Sequence, residues 1–183
     1  MLNKYSEILS AMQYEHNQLP SEKYLLVDGL NLFIRAFAAN PTINADGIHI
    51  GGISGSLASL GSAIKQFNPT RVIIVVDGKG GSVRRKKIFP DYKANRKKKK
   101  KTYKYNRSYE GYGPDLEKQM MKLQLSRLFE YFEHMPITII MIDYVEADDI
   151  IAHIATTYNN VQHVIMSADK DFLQLCTTDN IKV

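Results

Sequence analysis

The stretch Val72-Ile73-Ile74-Val75-Val76-Asp77-Gly78 decides the fold, because five consecutive apolar residues end abruptly at an acid and a glycine. A short, continuous apolar run of this kind is typical of a strand that is buried on both faces of a parallel sheet. Three further runs lead to acids in the same way: Tyr24–Val27 to Asp28-Gly29, Ile137–Ile142 to Glu146-Ala147-Asp148-Asp149, and Val164–Met166 to Asp169 and Asp171. The pattern predicts an α/β fold with acids at the carboxyl ends of four strands.

These strand ends are expected to converge, because ligands of open parallel sheets gather in the crevice beyond the carboxyl ends of the strands. Carboxylates that share a crevice repel one another unless cations compensate them, and clustered oxygen ligands suit Mg²⁺ or Mn²⁺. Each acid alone has another interpretation, as a turn former or helix cap. Asp143, which follows the third run, is expected only to cap. Acids at four strand ends together favour a metal site.

Spacing refines the choice of ligands. Asp169 and Asp171 lie two residues apart, so in an extended chain their side chains would point to the same side. Glu146 and Asp149 lie three apart and would share one face of a helix. Glu146 and Asp148 could both be ligands only if the helix begins between them.

Charge is distributed unevenly along the chain, whose net charge is +5. The segment from Arg84 to Arg107 holds 13 basic residues and one acid, so it carries +12, and the rest of the chain carries −7. This polarity favours a polyanionic partner, and tyrosines between the charges could stack on the bases of a single strand. A solvated basic loop or a localisation tag is the alternative, and the neighbouring acids favour nucleic acid. The tyrosines are Tyr92, Tyr103, Tyr105, Tyr109 and Tyr112.

The remaining pattern predicts one domain with a helical extension in front of it. Residues 1–20 place apolar side chains at helical spacing and are expected to form an amphipathic extension. Residues 21–183 alternate strands with helices, which predicts an α/β sandwich around a parallel sheet. Within this domain, residues 79–113 show no periodicity and are expected to form a long basic loop. The helix predicted from Asp115 to His134 has an apolar face with Leu116, Met120, Leu123 and Leu128.

Several classes of protein do not fit the sequence. No stretch approaches the roughly 20 apolar residues of a membrane-spanning helix, and the first residues lack the pattern of a signal peptide. The single Cys176 excludes a disulfide framework and a cysteine-rich zinc site, and it is expected to be a buried thiol in a reducing cytoplasm. The five histidines show no metal-ligand spacing, and the glycines after Asp77 lack the spacing of a phosphate-binding loop.

Several motifs, in order from about residue 23 to residue 183, resemble those of the 5′-nuclease family of flap endonucleases, bacterial DNA polymerase I 5′-nuclease domains and phage ribonuclease H enzymes. Phage ribonuclease H enzymes and the polymerase I domain are the members that the motifs resemble most, and the N-terminal extension and the absence of a fused polymerase make the phage branch the preferred analogy. The resemblance implies a PIN-like three-layer sandwich around a mostly parallel sheet, with residues 79–113 as a basic arch. The motifs are Val27-Asp28-Gly29, Arg35-Ala36-Phe37, Val76-Asp77-Gly78-Lys79-Gly80-Gly81-Ser82 with Arg84-Arg85, Tyr92-Lys93-Ala94-Asn95-Arg96, Glu146-Ala147-Asp148-Asp149 and Ser167-Ala168-Asp169-Lys170-Asp171.

The resemblance also implies roles for individual residues. Two Mg²⁺ ions, for which Mn²⁺ could substitute, would activate a water and stabilise the leaving oxygen in an in-line displacement. Lys93 and Arg96 would act in the arch, near the scissile phosphate. The implied metal ligands are Asp28, Asp77, Glu146, Asp148, Asp149, Asp169 and Asp171. The residues expected to bind nucleic acid are Arg84, Arg85, Tyr92, Lys97, Lys98, Lys99, Lys100 and Lys101.

The implied activity is hydrolysis of phosphodiester bonds in DNA flaps or RNA–DNA hybrids with a 5′ end, as in the removal of replication primers. Family members continue into a helix–three-turn–helix region that is missing from this sequence. We therefore expect a fragment, an enzyme completed by a second polypeptide, or a noncatalytic protein that binds nucleic acid. A PIN-type ribonuclease is a further alternative, and the long basic arch argues against it. The expected location is the cytoplasm, that of the host cell if the chain is phage-encoded.

Overall fold

The computed structural model describes residues 22–92 and 114–183, which form a five-stranded sheet with helices on both faces. The extension predicted for residues 1–20 lies outside the described residues, as do Lys93, Arg96 and the lysines from Lys97 to Lys101. The strands are β1 (Lys23–Asp28), β2 (Arg71–Asp77), β3 (Thr138–Ile142), β4 (Gln162–Met166) and β5 (Ile181–Lys182). The helices are α1 (Gly29–Ala39), α2 (Gly51–Phe67), α3 (Val83–Ile88), α4 (Pro114–Glu133), α5 (Ala147–Thr157) and a 3₁₀ helix (Lys170–Leu175).

The sheet is parallel throughout and has the strand order β3-β2-β1-β4-β5. The chain builds outward from β1 through β2 to β3, and then returns to the other side of β1 for β4 and β5. The order therefore reverses between β1 and β4, and open α/β sheets bind ligands at such reversals. The predicted α/β class and the predicted strand ends at Asp28 and Asp77 are confirmed.

The core lies in two layers because successive side chains of a buried strand point to opposite faces. One face carries Leu25 and Ile74 and packs against α1, α2 and α4. The other carries Leu26 and Val75 and packs against α5 and the 3₁₀ helix. Alternate residues of one apolar run thus serve both layers, which explains why the strands are apolar without interruption.

The buried face of α4 differs from the face that the sequence predicted. Leu128 is buried, but Leu123 is 61% exposed. Gln124 is buried instead, and its Oε1 accepts hydrogen bonds from the N–H groups of Gly52 at 2.9 Å and Ile53 at 3.3 Å. These donors begin α2, which has no cap from its own N-terminal side chain, so a distant glutamine supplies the missing acceptor.

Helix α3 falls inside the segment that was expected to be an irregular basic loop. That expectation is wrong for Val83–Ile88, which form six residues of α-helix after the turn at Gly80 and Gly81. A helix of only six residues is too short to be stable by itself, so it depends on contacts elsewhere in the fold. Arg85 makes such contacts, with acids at the start of α5.

Two further features are the exposure of Cys176 and the length and apolar character of the helices. Cys176 is exposed, so the prediction of a buried thiol is wrong. The residue follows the 3₁₀ helix, where its N–H caps the carbonyl of Leu173, and the chain there runs over the surface. In residues 22–92 and 114–183, no helix is both long enough and apolar enough to span a bilayer.

Candidate active site

Asp28 ends β1 and caps the helix that follows. Its Oδ1 accepts a hydrogen bond of 3.1 Å from the N–H of Asn31 in the first turn of α1. The strand passes directly into the helix at Gly29, where a Cβ would lie only 2.9 Å from Cγ2 of Ile74 on β2. The hydroxyl of Ser167, just beyond β4, donates to the other oxygen of Asp28 at 3.1 Å. The Asp-Gly pair therefore joins strand to helix at the point where β1 and β4 meet.

Asp169 is held in a related way beyond β4. Its N–H donates to the hydroxyl oxygen of Ser167 at 3.1 Å, and its Oδ1 accepts from the N–H of Asp171 at 3.0 Å. Asp169 itself is extended, but Asp171 lies in the first turn of the 3₁₀ helix, so the condition of an extended chain holds for only one of these two acids. Ser167 connects Asp28 with Asp169, although Ser167 lies 139 positions from Asp28 in the chain.

Asp77 ends β2 and caps a helix from a distant part of the chain. Its Oδ1 accepts a hydrogen bond of 2.7 Å from the N–H of Ala147, the first residue of α5. A Cβ on the neighbouring Gly78 would lie 1.8 Å from the carbonyl oxygen of Ile142, so only glycine fits there. Asp143 accepts from the N–H of Lys79 at 3.1 Å, in the turn that follows β2, where no helix begins.

The charges of these aspartates influence one another. Burial raises the pKa of Asp28, and the negative charges of Asp77 and Asp169 raise it further, while the hydrogen bonds from Asn31 and Ser167 act against the rise. We refer to Asp28, Asp77 and Asp169 as the strand-end acids. Backbone and hydroxyl donors orient them without neutralising them, so a cation would relieve their repulsion.

A second group of acids surrounds the start of α5. The helix begins at Ala147, between Glu146 and Asp148, so the condition for both to face one site is met. The guanidinium of Arg85 forms an ion pair with the buried Glu146, contacts both carboxylate oxygens of Asp148 at 3.1 Å, and reaches Oδ1 of Asp149 at 2.6 Å. We refer to Glu146, Asp148 and Asp149 as the helix-start acids.

Tyr92 completes this second group. Its hydroxyl donates to Oε2 of Glu146 at 2.9 Å and accepts from Nη1 of Arg85 at 3.2 Å, and the guanidinium lies 5.6 Å from the centre of its ring. Burial lowers the pKa of Arg85, but the hydrogen bond and charge of Asp148, with the charge of Asp149, outweigh it and raise that pKa. Arg85 is therefore a permanent cation among three carboxylates.

The donor set fits a hard divalent cation in its chemistry, because carboxylate oxygens from several elements meet at one edge of the sheet. In their present positions, no three acids, histidines or cysteines of residues 22–92 and 114–183 are grouped closely enough to hold a metal ion. Arg85 already occupies the centre of the helix-start acids. Metal binding there would require the guanidinium to move.

The structure places six of the seven acids that the sequence singled out in two groups at one edge of the sheet, the strand-end and the helix-start acids, but no three of the described acids lie close enough to hold a metal ion. Asp171 contributes its N–H, and no contact of its carboxylate with the other acids occurs in the part of the chain that the structure describes. Arg85 and Tyr92, which are expected to bind nucleic acid, contact the helix-start acids in this structure. The sequence analysis did not predict roles for Ser167 and Asn31. The side chain of Asn31 also accepts a hydrogen bond of 3.1 Å from the N–H of Ala168. Both are polar residues close to the end of a strand, and this was the signal in the sequence that could have identified them.

Comparison with known proteins agrees with this fold. The chain is 32% identical over 169 residues to a 5′-3′ exonuclease of Bacillus subtilis, covering 89% of this chain and 50% of that protein. It is 34% identical over 155 residues to the flap endonuclease Xni of Shewanella sp. (strain MR-4), covering 84% and 51%. A crystal structure of bacteriophage T5 flap endonuclease with DNA and metal ions superimposes with a TM-score of 0.64 at 24% identity, covering 87% and 53%. That likeness shows the shared fold.

The chain spans about half the length of the curated relatives that it matches. Residues 23–183, nearly the whole chain, match the family described as "5'-3' exonuclease, N-terminal resolvase-like domain". The match starts at the first residue of β1 and includes both groups of acids. The chain therefore belongs to the 5′-3′ exonuclease family and carries its N-terminal, resolvase-like domain.

Proposed function

We propose that this chain is the catalytic domain of a metal-dependent 5′-nuclease that hydrolyses phosphodiester bonds in DNA flaps or RNA–DNA hybrids. The observation that carries the proposal is the gathering of acids from four strand ends at one edge of a parallel sheet. Membership of the 5′-3′ exonuclease family supports it. Primer removal during replication, in the cytoplasm of a cell or of a phage host, is the setting that we propose.

The acids are proposed to hold two Mg²⁺ ions, for which Mn²⁺ could substitute. The proposed ligands are Asp28, Asp77, Glu146, Asp148, Asp149, Asp169 and Asp171. Bound ions would supply a water of lowered pKa and a positive charge near the leaving oxygen. The T5 relatives of known structure were crystallised with divalent metal ions, which supports the proposal for this chain.

The protein's own contribution is to orient carboxylates before any ligand arrives. Asp28, Asp77 and Asp169 each cap the start of a helix through one backbone N–H, at distances between 2.7 and 3.1 Å. Ser167 fixes the second oxygen of Asp28. Such fixed carboxylates lose little conformational freedom on binding a cation or on positioning a water, which is the advantage of a preorganised site.

The basic segment is proposed to gather the substrate. Lys93 would stabilise charge on the scissile phosphate together with Arg96, and the lysines from Lys97 to Lys101 would bind the backbone of the 5′ strand. Neutralising those five lysines should weaken binding similarly for all sequences and flatten its salt dependence, because phosphate contacts release counterions. Lys93→Ala should lower turnover more than affinity, and equal effects on affinity alone would reduce Lys93 to one more phosphate contact.

The region that the relatives have beyond the matched stretch is proposed to be needed for rapid cleavage, whether it belongs to the same polypeptide or to a second one. The relatives are about twice as long as the stretch that matches this chain. We expect the 183 residues alone to bind metal and single strands but to cleave slowly. Adding the second half of a relative as a separate polypeptide should raise structure-specific cleavage. Rapid, flap-specific cleavage by the chain alone would contradict this part of the proposal.

The test is incubation with a 5′-labelled flap and with an RNA–DNA duplex, in Mg²⁺ and in excess chelator, with and without the second polypeptide. We expect cleavage only with the metal. Asp77→Asn should abolish it, because asparagine keeps the cap on Ala147 but loses the charge. Asp179→Asn, which removes an exposed acid outside both groups, should leave cleavage unchanged. Salt-sensitive binding with no cleavage under any condition would favour the noncatalytic alternative.

A further inference from the structure

Arg85 contacts every member of the helix-start acids. Its two terminal nitrogens bind Glu146, Asp148 and Asp149, and Tyr92 holds it from the side through a hydroxyl contact and the face of its ring. An exposed ion pair joins two charges in high dielectric, whereas here one guanidinium joins three acids, of which Glu146 is 3% exposed. Contacts of this number and burial indicate a specific place for the side chain.

The charges of this cluster do not balance. Three carboxylates face one guanidinium, so the group keeps a net charge of about −2 when all three acids are ionised. Removal of Arg85 would leave Glu146 as a buried charge beside two like charges, which is strongly unfavourable. When they are ionised, the acids are therefore stabilised by a cation, and in this structure Arg85 supplies it.

A divalent ion and Arg85 cannot both occupy the centre of these acids. Both bind through the same carboxylate oxygens, and both are positive, so each weakens binding of the other. The two also differ in reach, because the guanidinium of Arg85 is carried on a long side chain from α3, whereas the carboxylates stand on shorter side chains at the start of α5.

We propose that Arg85 is an internal counter-ion that a divalent cation displaces when it binds Glu146, Asp148 and Asp149. The inference rests on the proposed function, because it assumes that these acids bind a metal ion. Loading of the metal and release of Arg85 are then one event. The released guanidinium is available to a phosphate group only after the metal has bound, so the same residue compensates the acids in the free protein and serves the substrate in the loaded one.

Titration calorimetry with Mn²⁺ tests the competition directly. Arg85→Gln should bind Mn²⁺ about tenfold more tightly than the wild type, within the usual range of coupling between two ligands. Lys87→Gln is the matched control, since it removes one exposed positive charge from the same helix, and its affinity should stay within about twofold of wild type. Equal or weaker binding by Arg85→Gln would overturn the inference. No binding by any of the three proteins would refute the metal site itself, and the counter-ion with it.

Two milder variants keep the test valid if Arg85→Gln does not fold. Arg85→Lys keeps the charge but cannot span three acids with one ammonium group, so its Mn²⁺ affinity should exceed that of wild type. Tyr92→Phe keeps the ring and removes the hydroxyl that holds Arg85 and Glu146, and it should tighten binding by a smaller factor. Unchanged affinity in both variants would contradict displacement.

Side-chain NMR signals of arginine follow the displacement without measuring activity. During a Mg²⁺ titration of the wild-type protein, the guanidinium signal of Arg85 should change at the same metal concentrations that saturate binding. Arg127, which pairs with Glu130 at 2.5 Å on the surface of α4, is the internal control and should not respond. Saturation of the site with an unchanged Arg85 signal would show that the two cations do not compete.

Discussion

The strand-end acids and the helix-start acids lie at the same edge of the sheet, but the groups that contact their carboxylates differ. Backbone N–H groups and the Ser167 hydroxyl orient the strand-end acids, and no salt bridge reaches them within residues 22–92 and 114–183. The helix-start acids are gathered around Arg85. Within the described part of the chain, the first group therefore has no counter-ion, whereas the second group includes Arg85 as its counter-ion.

A metal site must orient its carboxylates and must also have their charge compensated, and the two groups of acids differ in which of these is already achieved. Dipolar donors fix the direction of a carboxylate and leave its charge free to attract a cation. A guanidinium neutralises the carboxylates and occupies the place of the cation. We expect the first metal ion to bind on the side of the strand-end acids, where no resident cation has to be displaced.

The largest effect on stability is expected for a substitution at Gly78. This residue follows Asp77 and packs against the end of β3, from which the chain continues to Glu146. Gly78→Ala places a methyl group 1.8 Å from the Ile142 carbonyl, so the turns after β2 and β3 must separate. The free energy of unfolding should fall by more than about 3 kcal/mol, as for other severe steric changes. Urea denaturation measures it. Gly61→Ala is the control, because its Cβ would meet no atom within 4 Å in a helix, where alanine should stabilise by about 0.5–1 kcal/mol.

Arg85→Gln should have the next largest effect, and only on the helix-start acids. In chelator, the free energy of unfolding should fall by about 2 kcal/mol, less than for a fully buried pair because Arg85 is 33% exposed. In a Glu146→Gln background the same change should cost much less, since no buried charge is left unpaired. A double-mutant cycle by urea denaturation checks this coupling. Equal costs in both backgrounds would mean that Arg85 stabilises the fold by packing alone.

Asp77→Asn should weaken binding of Mn²⁺ to the strand-end acids by at least about tenfold, because mutating residues that only support a ligand already costs roughly that much. Asparagine can still accept the hydrogen bond from Ala147, so the far-ultraviolet circular dichroism should not change. Titration calorimetry of this variant and of Asp179→Asn, in which affinity should be preserved, provides the measurement. Unchanged affinity in Asp77→Asn would remove Asp77 from the set of ligands.

The smallest effect concerns the pH dependence of stability. Because the folded protein raises the pKa of Asp28, its ionisation costs stability as pH rises through that value. In chelator at pH 7, Asp28→Asn should therefore have a higher Tm than wild type. The difference should vanish below the unfolded pKa of about 3.9, where both side chains are neutral. Thermal melts between pH 3.5 and pH 7, roughly the window set by that pKa, test it. A constant difference at all pH values would point to a cause other than charge.

The apolar runs determined the strands, and the acids that follow them determined which edge of the sheet carries the candidate site. Both conclusions rest on local properties: a strand covered on both faces must be apolar at every position, and parallel strands end on the same side. The sequence pattern also located Glu146 beside the start of α5.

Tertiary structure alone decided which side chains meet. Arg85 binds Asp148, which is 63 residues away, and Ser167 binds Asp28, which is 139 residues away. Gln124 on α4 accepts hydrogen bonds from the first turn of α2. The free energy of such pairings depends on the distance and burial that the completed fold imposes, and no local pattern of residues encodes these quantities. A basic residue in a basic segment predicts a partner that is an anion; whether that anion is a phosphate or the protein's own carboxylates is settled by where α3 lies against α5.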